Sequence, residues 1–391
     1  MALATNPLAN PSGTPEGRRF PGISLPIVLM VAAITSSGIG GVWDISWHMT
    51  LGRDTFWTPA HIAIYFGGAL SGFAAGWMAI WTTFFATEAE SAGSVRILGG
   101  KAPFGAWIAI WGAVAMLAAG PFDNWWHNAY GLDVRIISPP HVVLFVGSLA
   151  IRLGVWLLLL REQNRSWRPG AAAWLFLYLG AVLVEGVAVM RTSDFWPNRQ
   201  HSSEFFFRAS ADFPFLLVAI ARASRLRWGA TLAAGAYMLM TATMVWILPL
   251  FAGSPRLGPI NHPVSHMVPP PFPLWLVVPA VAIDLIMQSG GFGREWRRDL
   301  MLAGLTAASF VLLFLAAQWL FSTFYLSPAA DTWFFAGDRV WAYTYSGLHP
   351  HDFWENEAGL RSSSVASCLL AAYVSTLAGL WFGNWMTRVR R

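Results

Sequence analysis

The sequence predicts an all-α fold, a polytopic transmembrane helix bundle of about ten spans with both termini cytoplasmic. Three observations predict it. Charged residues make up only 12% of the 391-residue chain, against 55% hydrophobic ones, where a water-soluble domain carries about 25% charge. Mean hydropathy is positive, at +0.49. Apolar stretches of roughly 20 residues, the length that crosses a bilayer, recur along the whole chain. So few charges cannot cover a water-facing surface of this size, which excludes a soluble globular enzyme. The 23 Trp and 27 Phe exclude disorder, and Cys368, the only cysteine, excludes a disulfide scaffold and a thiolate-rich metal site.

Taken in order, residues 1–22 are Pro/Gly-rich and polar and form a flexible tail, and residues 23–391 read as a single transmembrane domain in the lipid bilayer. Arg18-Arg19 precede an apolar run too long for an export signal, so the first span is expected to be uncleaved. Spans are expected at 24–48, 60–86, 104–127, 140–160, 170–190, 205–223, 228–250, 272–290, 299–325 and 363–387. The sixth carries Arg208 and Asp212 near its start, yet the basic residues support it. Alternate connections hold 16 of the 25 Lys and Arg, among them Arg161, Arg165, Arg222, Arg297 and Arg388, and the other set holds eight. That alternation stays in register over all the spans and places the basic connections inside. It also accounts for the net charge of +5, so no nucleic-acid partner is called for. The longest connection, 326–362, is aromatic and acidic, lies outside, and is expected to cover the outer face.

All nine histidines fall on the outer side: His48, His61, His127, His141, His201, His262, His266, His349 and His351. The inner connections are equally wet and hold none, so the distribution points to chemistry at the outer face.

Two helical hairpins repeat one pattern. The first reads Asp44-Ile45-Ser46-Trp47-His48, then Gly52-Arg53-Asp54, then Thr58-Pro59-Ala60-His61. The second reads Asp123-Asn124-Trp125-Trp126-His127, then Gly131-Leu132-Asp133, then Ser138-Pro139-Pro140-His141. Both run in the same direction, a parallel repeat. Asp and His four apart share one face of a helix. Gly52 and Gly131 read as stop signals, and Thr58 and Ser138 as N-caps ahead of proline in the first helical position. The returning histidine then lies near the Asp/His pair. One aspartate and two histidines suit Cu(II), zinc or non-haem iron. A single Asp-x3-His at a helix end reads as a salt bridge or cap; two copies, each followed by a returning histidine, read as ligands. Asp54 and Asp133 are expected to orient the ligand histidines from outside the ligand set.

These two clusters resemble the membrane metal sites of the C subunit of the copper membrane monooxygenases, the particulate methane and ammonia monooxygenases. The resemblance covers residues 24–160. It implies copper bound by Asp44, His48 and His61 and again by Asp123, His127 and His141, with dioxygen and a small apolar substrate. Asp123 stands where the family has asparagine, so the second site is more anionic here. The family's enzymes work with A and B subunits, and nothing in this chain resembles the B subunit's soluble copper domain. Partner membrane subunits, a homo-oligomer and a stand-alone role stay open, as does one dinuclear centre against two mononuclear ones. The implied location is a bacterial-type inner membrane with the sites on its periplasmic side.

The remaining polar features are fewer. His262 and His266, in Asn261-His262-Pro263-Val264-Ser265-His266, are candidates for additional ligands. Glu185, Arg208, Asp212 and Asp284 lie in or near spans and are expected to pair with one another. Tryptophans crowd the outer side as an aromatic belt, and some stand beside the ligands, where they would keep the site dry. Two rival functions remain beside a copper oxidoreductase. One is an outer-face transporter of metal or small molecules, which would need polar groups continuing across the membrane; the other is a metal-binding assembly subunit.

Overall fold

The computed structural model describes residues 19–20, 23–131, 138–165, 170–289, 296–343, 351–353 and 359–389, and within these every expected span holds a helix. The helices are α1 (Leu25–Thr50), α2 (Pro59–Phe84), the single-turn α3 (Glu88–Ser91), α4 (Phe104–Tyr130), α5 (Pro139–Arg165), α6 (Ala171–Met190), α7 (Ser203–Ala223), α8 (Gly229–Ile247), α9 (Val277–Ser289), α10 (Trp296–Tyr325) and α11 (Ser362–Met386). Two short antiparallel ribbons accompany them, β1 (Arg19–Phe20) with β2 (Ile23–Ser24) and β3 (Val95–Ile97) with β4 (Gly100–Ala102). Eight helices, all but α3, α7 and α9, are long and apolar enough to cross a membrane. Phe73, Leu320 and Trp381 point outward from them, 69%, 72% and 76% exposed. Lipid can cover such a surface; water cannot.

Two segments depart from the expected spans. Glu204, Arg208, Asp212 and Arg222 lower the hydropathy of α7, yet Phe205, Phe213 and Leu217 bury its other face in the bundle. The eighth segment, expected from residue 272, is helical only from Val277. Pro269, Pro270, Pro271 and Pro273 supply no N–H and push their preceding residues out of the helical region. The 13 residues of α9 rise about 20 Å, less than the roughly 30 Å of a hydrocarbon core.

Close glycine contacts hold the two hairpins that carry the expected ligands. A Cβ on Gly147 of α5 would come 2.7 Å from the Gly112 carbonyl oxygen of α4, and one on Gly112 would come 2.6 Å from that of Gly147. On the other hairpin a Cβ on Gly67 of α2 would come 2.6 Å from the Ala33 oxygen of α1. Gly67 and Gly147 each lie six residues after the returning histidine, and Ala33 and Gly112 each lie eleven before the aspartate. Both hairpins therefore cross at the same place relative to their ligand residues. Helix α2 packs on α4 and sets the two side by side.

The four charges expected to pair with one another do not. Arg208 pairs with Asp194 at 2.7 Å and Glu204 at 2.5 Å, and Asp212 with Arg191 at 2.9 Å. Asp284 accepts the N–H groups of Ala230 at 3.1 Å and Thr231 at 2.8 Å, capping the first turn of α8. Glu185 is buried on α6 with Arg152 of α5 as its charged neighbour. Each found its partner on an element that packing brings near, which spacing along the chain does not reveal.

Irregular segments from the second half of the chain close over the end of α1. Ala342 N–H donates to Met49 O and Arg256 N–H to Leu51 O, both at 3.0 Å, and the Tyr343 hydroxyl also donates to Leu51 O. Val268 N–H donates to Thr50 Oγ1 at 2.7 Å, and Ser46 Oγ donates to Val268 O at 2.6 Å. The bonds to Met49 O and Leu51 O satisfy carbonyls that a helix end leaves without intrahelical partners.

Candidate metal centre

The first cluster is assembled by a tight reversal. Asp44 and His48 occupy successive turns at the end of α1, with His48 Nε2 3.8 Å from Asp44 Oδ2. Gly52 then takes φ +77°, a conformation that favours glycine. A Cβ there would also lie 2.7 Å from Cζ of Tyr343. Thr58 and Pro59 open α2 as expected, but the Thr58 hydroxyl caps no helical N–H. It accepts the Thr55 N–H at 2.8 Å and tightens the turn. The reversal returns His61 to Asp44, Nε2 to Oδ1 at 3.1 Å, and to Asp54 Oδ2 at 3.2 Å.

Asp54 belongs inside this cluster. Asp44, Asp54 and His61 each offer a ligand atom, all within 4.8 Å of one another, and could hold a metal ion. His48 stands at the open edge of that trio, 3.4 Å from Asp54 and with 46% of its side chain exposed.

The chemistry of His61 is fixed by its other nitrogen. Nδ1 lies 2.9 Å from the Thr55 carbonyl oxygen, which can only accept, so Nδ1 carries the proton. In the neutral ring Nε2 then turns a lone pair toward two carboxylate oxygens. Positive charge has to lie between these acceptors, as a second ring proton or as a metal ion. Burial opposes the charge on Asp54, but hydrogen bonds from His48 and His61 outweigh it and hold its carboxyl below the ordinary carboxylate range.

The second cluster has the same plan. His127 Nε2 lies 3.3 Å from Asp123 Oδ2, and His141 Nε2 lies 3.5 Å from Asp123 Oδ1. Gly131, at φ +88°, ends α4 by donating its N–H to His127 O at 3.0 Å. Asp133 lies outside the described residues, as does His349. Asp44 Oδ1 and Asp123 Oδ1, each facing a histidine Nε2, and His127 Nδ1 are buried without a well-formed hydrogen bond among the described residues. Buried polar atoms in that condition call for a partner, and a cation fits the two oxygens.

All six expected ligands line one cavity of about 280 Å³, together with Asp54. Ile64, Leu144, Phe145, Val189 and Trp341 supply apolar wall between the clusters. No known protein family, characterised protein or solved structure matches the chain. The site is therefore read from its own chemistry. Its donors are oxygen and imidazole nitrogen only, a set for borderline cations such as copper, zinc or iron.

The other histidines are placed elsewhere. His262 and His266 line neither this cavity nor the one beside it. The His262 N–H donates to Ala342 O at 3.1 Å, within the segments that close over α1. His201 is stacked between Trp319 and Phe353, with ring centroids 3.8 and 3.6 Å away. His351 pairs with Asp331 at 3.4 Å. Of the tryptophans expected on the outer side, Trp341 lines the cavity, so the connection 326–362 does reach the site.

Sequence reasoning missed Tyr65 as well. It lines the cavity one helical turn beyond His61, their rings 5.9 Å apart, and it packs against Gly120 of the other hairpin. The i, i+4 spacing from His61 was the available signal. The matching place in the second hairpin holds Phe145.

Proposed function

We propose that this chain is a copper-binding membrane oxidoreductase that oxidises a small apolar substrate with dioxygen. In this reading it has ten spans, cytoplasmic termini, and its sites at the periplasmic face of a bacterial-type inner membrane. One observation carries it: two oxygen-and-nitrogen clusters open into a single chamber whose remaining wall is largely apolar. The likeness of the ligand spacing to the monooxygenase C subunit supports the same reading.

Asp44, Asp54, His48 and His61 would hold one ion, and Asp123, His127 and His141 the other. Copper supplies one-electron chemistry toward dioxygen when bound. The chain's own residues do the rest. Thr55 O orients His61, and Asp54 adds negative charge that favours a cation. Ile64, Leu144, Phe145 and Val189 exclude water and accept an uncharged guest arriving through lipid. Electrons would come from a quinol or from partner membrane subunits.

The test is dioxygen uptake by copper-loaded protein supplied with a quinol and a small hydrocarbon. Uptake that requires both His61 and His127 is expected. A copper-replete protein that consumes no dioxygen with any partner subunit it co-purifies with would overturn the enzymatic reading.

A transport reading draws on one further observation. Glu185 lies against Gly38, where a Cβ would come 3.4 Å from its Oε2. Gly38 is six residues deeper on α1 than Asp44, about 9 Å, so Glu185, with Arg152 as its charged neighbour, lies inward from the chamber. Accumulation of copper in sealed vesicles, lost in Glu185→Gln, would favour transport.

A further inference from the structure

Four of the clustered side chains have a second exposure. Asp54, His61, Asp123 and His127, two from each hairpin, line the apolar chamber and also a separate cavity of about 340 Å³ at the hairpin ends. Among the described residues the rest of that cavity is Arg53, Thr55, Phe56, Asn124, Asn128 and Gly131. Asp44, His48 and His141 line only the chamber. The four shared residues thus form a wall with an apolar space on one side and a polar space on the other.

We propose that the polar cavity is a vestibule through which a hydrated metal ion enters and leaves the site, while the chamber serves an uncharged guest. The proposal rests on the metal-binding reading above. An ion loses its hydration shell only where protein atoms replace it. The amides of Asn124 and Asn128 and the hydroxyl of Thr55 can do so; the walls formed by Ile64, Leu144, Phe145 and Val189 cannot. An ion arriving through the vestibule meets the four shared ligands first, and Asp44, His48 and His141 then complete its coordination from the chamber side. Arg53 is the cationic side chain among the described residues that line the vestibule, and it is exposed. It opposes cation entry, although Asp54 and Asp123 outnumber it. The contact Arg53 makes with Trp47 Nε1 uses its backbone oxygen, at 3.0 Å, and survives replacement of the side chain.

The test is the rate at which cupric ion loads the metal-free full-length protein, with the final metal content measured on the same samples. Asn124→Leu/Asn128→Leu should slow loading by about tenfold and leave the final content unchanged. Arg53→Gln should speed loading at low salt, with the gain fading as salt screens the charge. Val189→Phe, which narrows the chamber, should load at the parent rate. The proposal is overturned if Arg53→Gln and the folded double asparagine variant both load at the parent rate, or if Val189→Phe is the slow variant. A parent that binds no copper overturns the metal reading itself, and the vestibule with it.

Discussion

At the end of α1, segments from the far half of the chain cover the first cluster and satisfy Met49 O and Leu51 O. At the end of α4, the described contact is local, Gly131 N–H back to His127 O. The first cluster also has Asp54 in contact with both histidines and His61 held through Thr55 O. In the second, His127 Nδ1 has no hydrogen-bond partner among the described residues. Among the described residues, the same Asp/His spacing on equivalent hairpin crossings is therefore set in unequal surroundings. The candidate ligands come from the short repeat, whereas their preorganisation comes from the loop that returns on it and from the segments that clasp it. The first cluster is expected to bind the tighter ion.

The largest expected effect breaks this comparison outright. His61→Ala should lose the first ion and keep the second, as read by metal content after dialysis against a weak chelator. Next, Gly147→Leu forces a side chain onto the Gly112 backbone and should lower stability by roughly 1–3 kcal/mol. Thermal unfolding measures that loss, and metal content should show the second ion weakened before the first. A smaller effect than that of His61→Ala belongs to Asp54→Asn, which removes a charge and an acceptor from two histidines. It should weaken the first ion by more than the roughly 10–100-fold of a merely orienting carboxylate in a competition titration; a loss within that range marks an orienting role instead of direct ligation. The smallest is Tyr65→Phe, which gives the first hairpin the residue of the second at that place. Copper affinity should stay the same in the same titration.

Much of this comparison was legible in the sequence, because hydropathy finds helices and a repeat finds ligands. The ten helical segments and the convergence of Asp44, His48, His61, Asp123, His127 and His141 needed only period and spacing. Asp54 was legible as a neighbour but not as a member of the tight trio, since its position depends on the left-handed turn at Gly52. The clasp over α1 was hidden because residues 252–268 and 341–343 are irregular and carry no period. The start of α9 was misplaced by counting apolar residues across prolines that cannot continue a helix. Partners of Arg208, Asp212 and Asp284 were missed because helix packing, not sequence distance, selects them.

The central claim is that two like clusters in one chamber hold metal. Copper content of the purified chain, measured beside that of His61→Ala and His127→Ala, tests it most directly. The account predicts two ions per chain in the parent and one in each variant, with a different ion lost in each. A copper-exposed parent without stoichiometric metal, or variants that retain the parent's content, would contradict it.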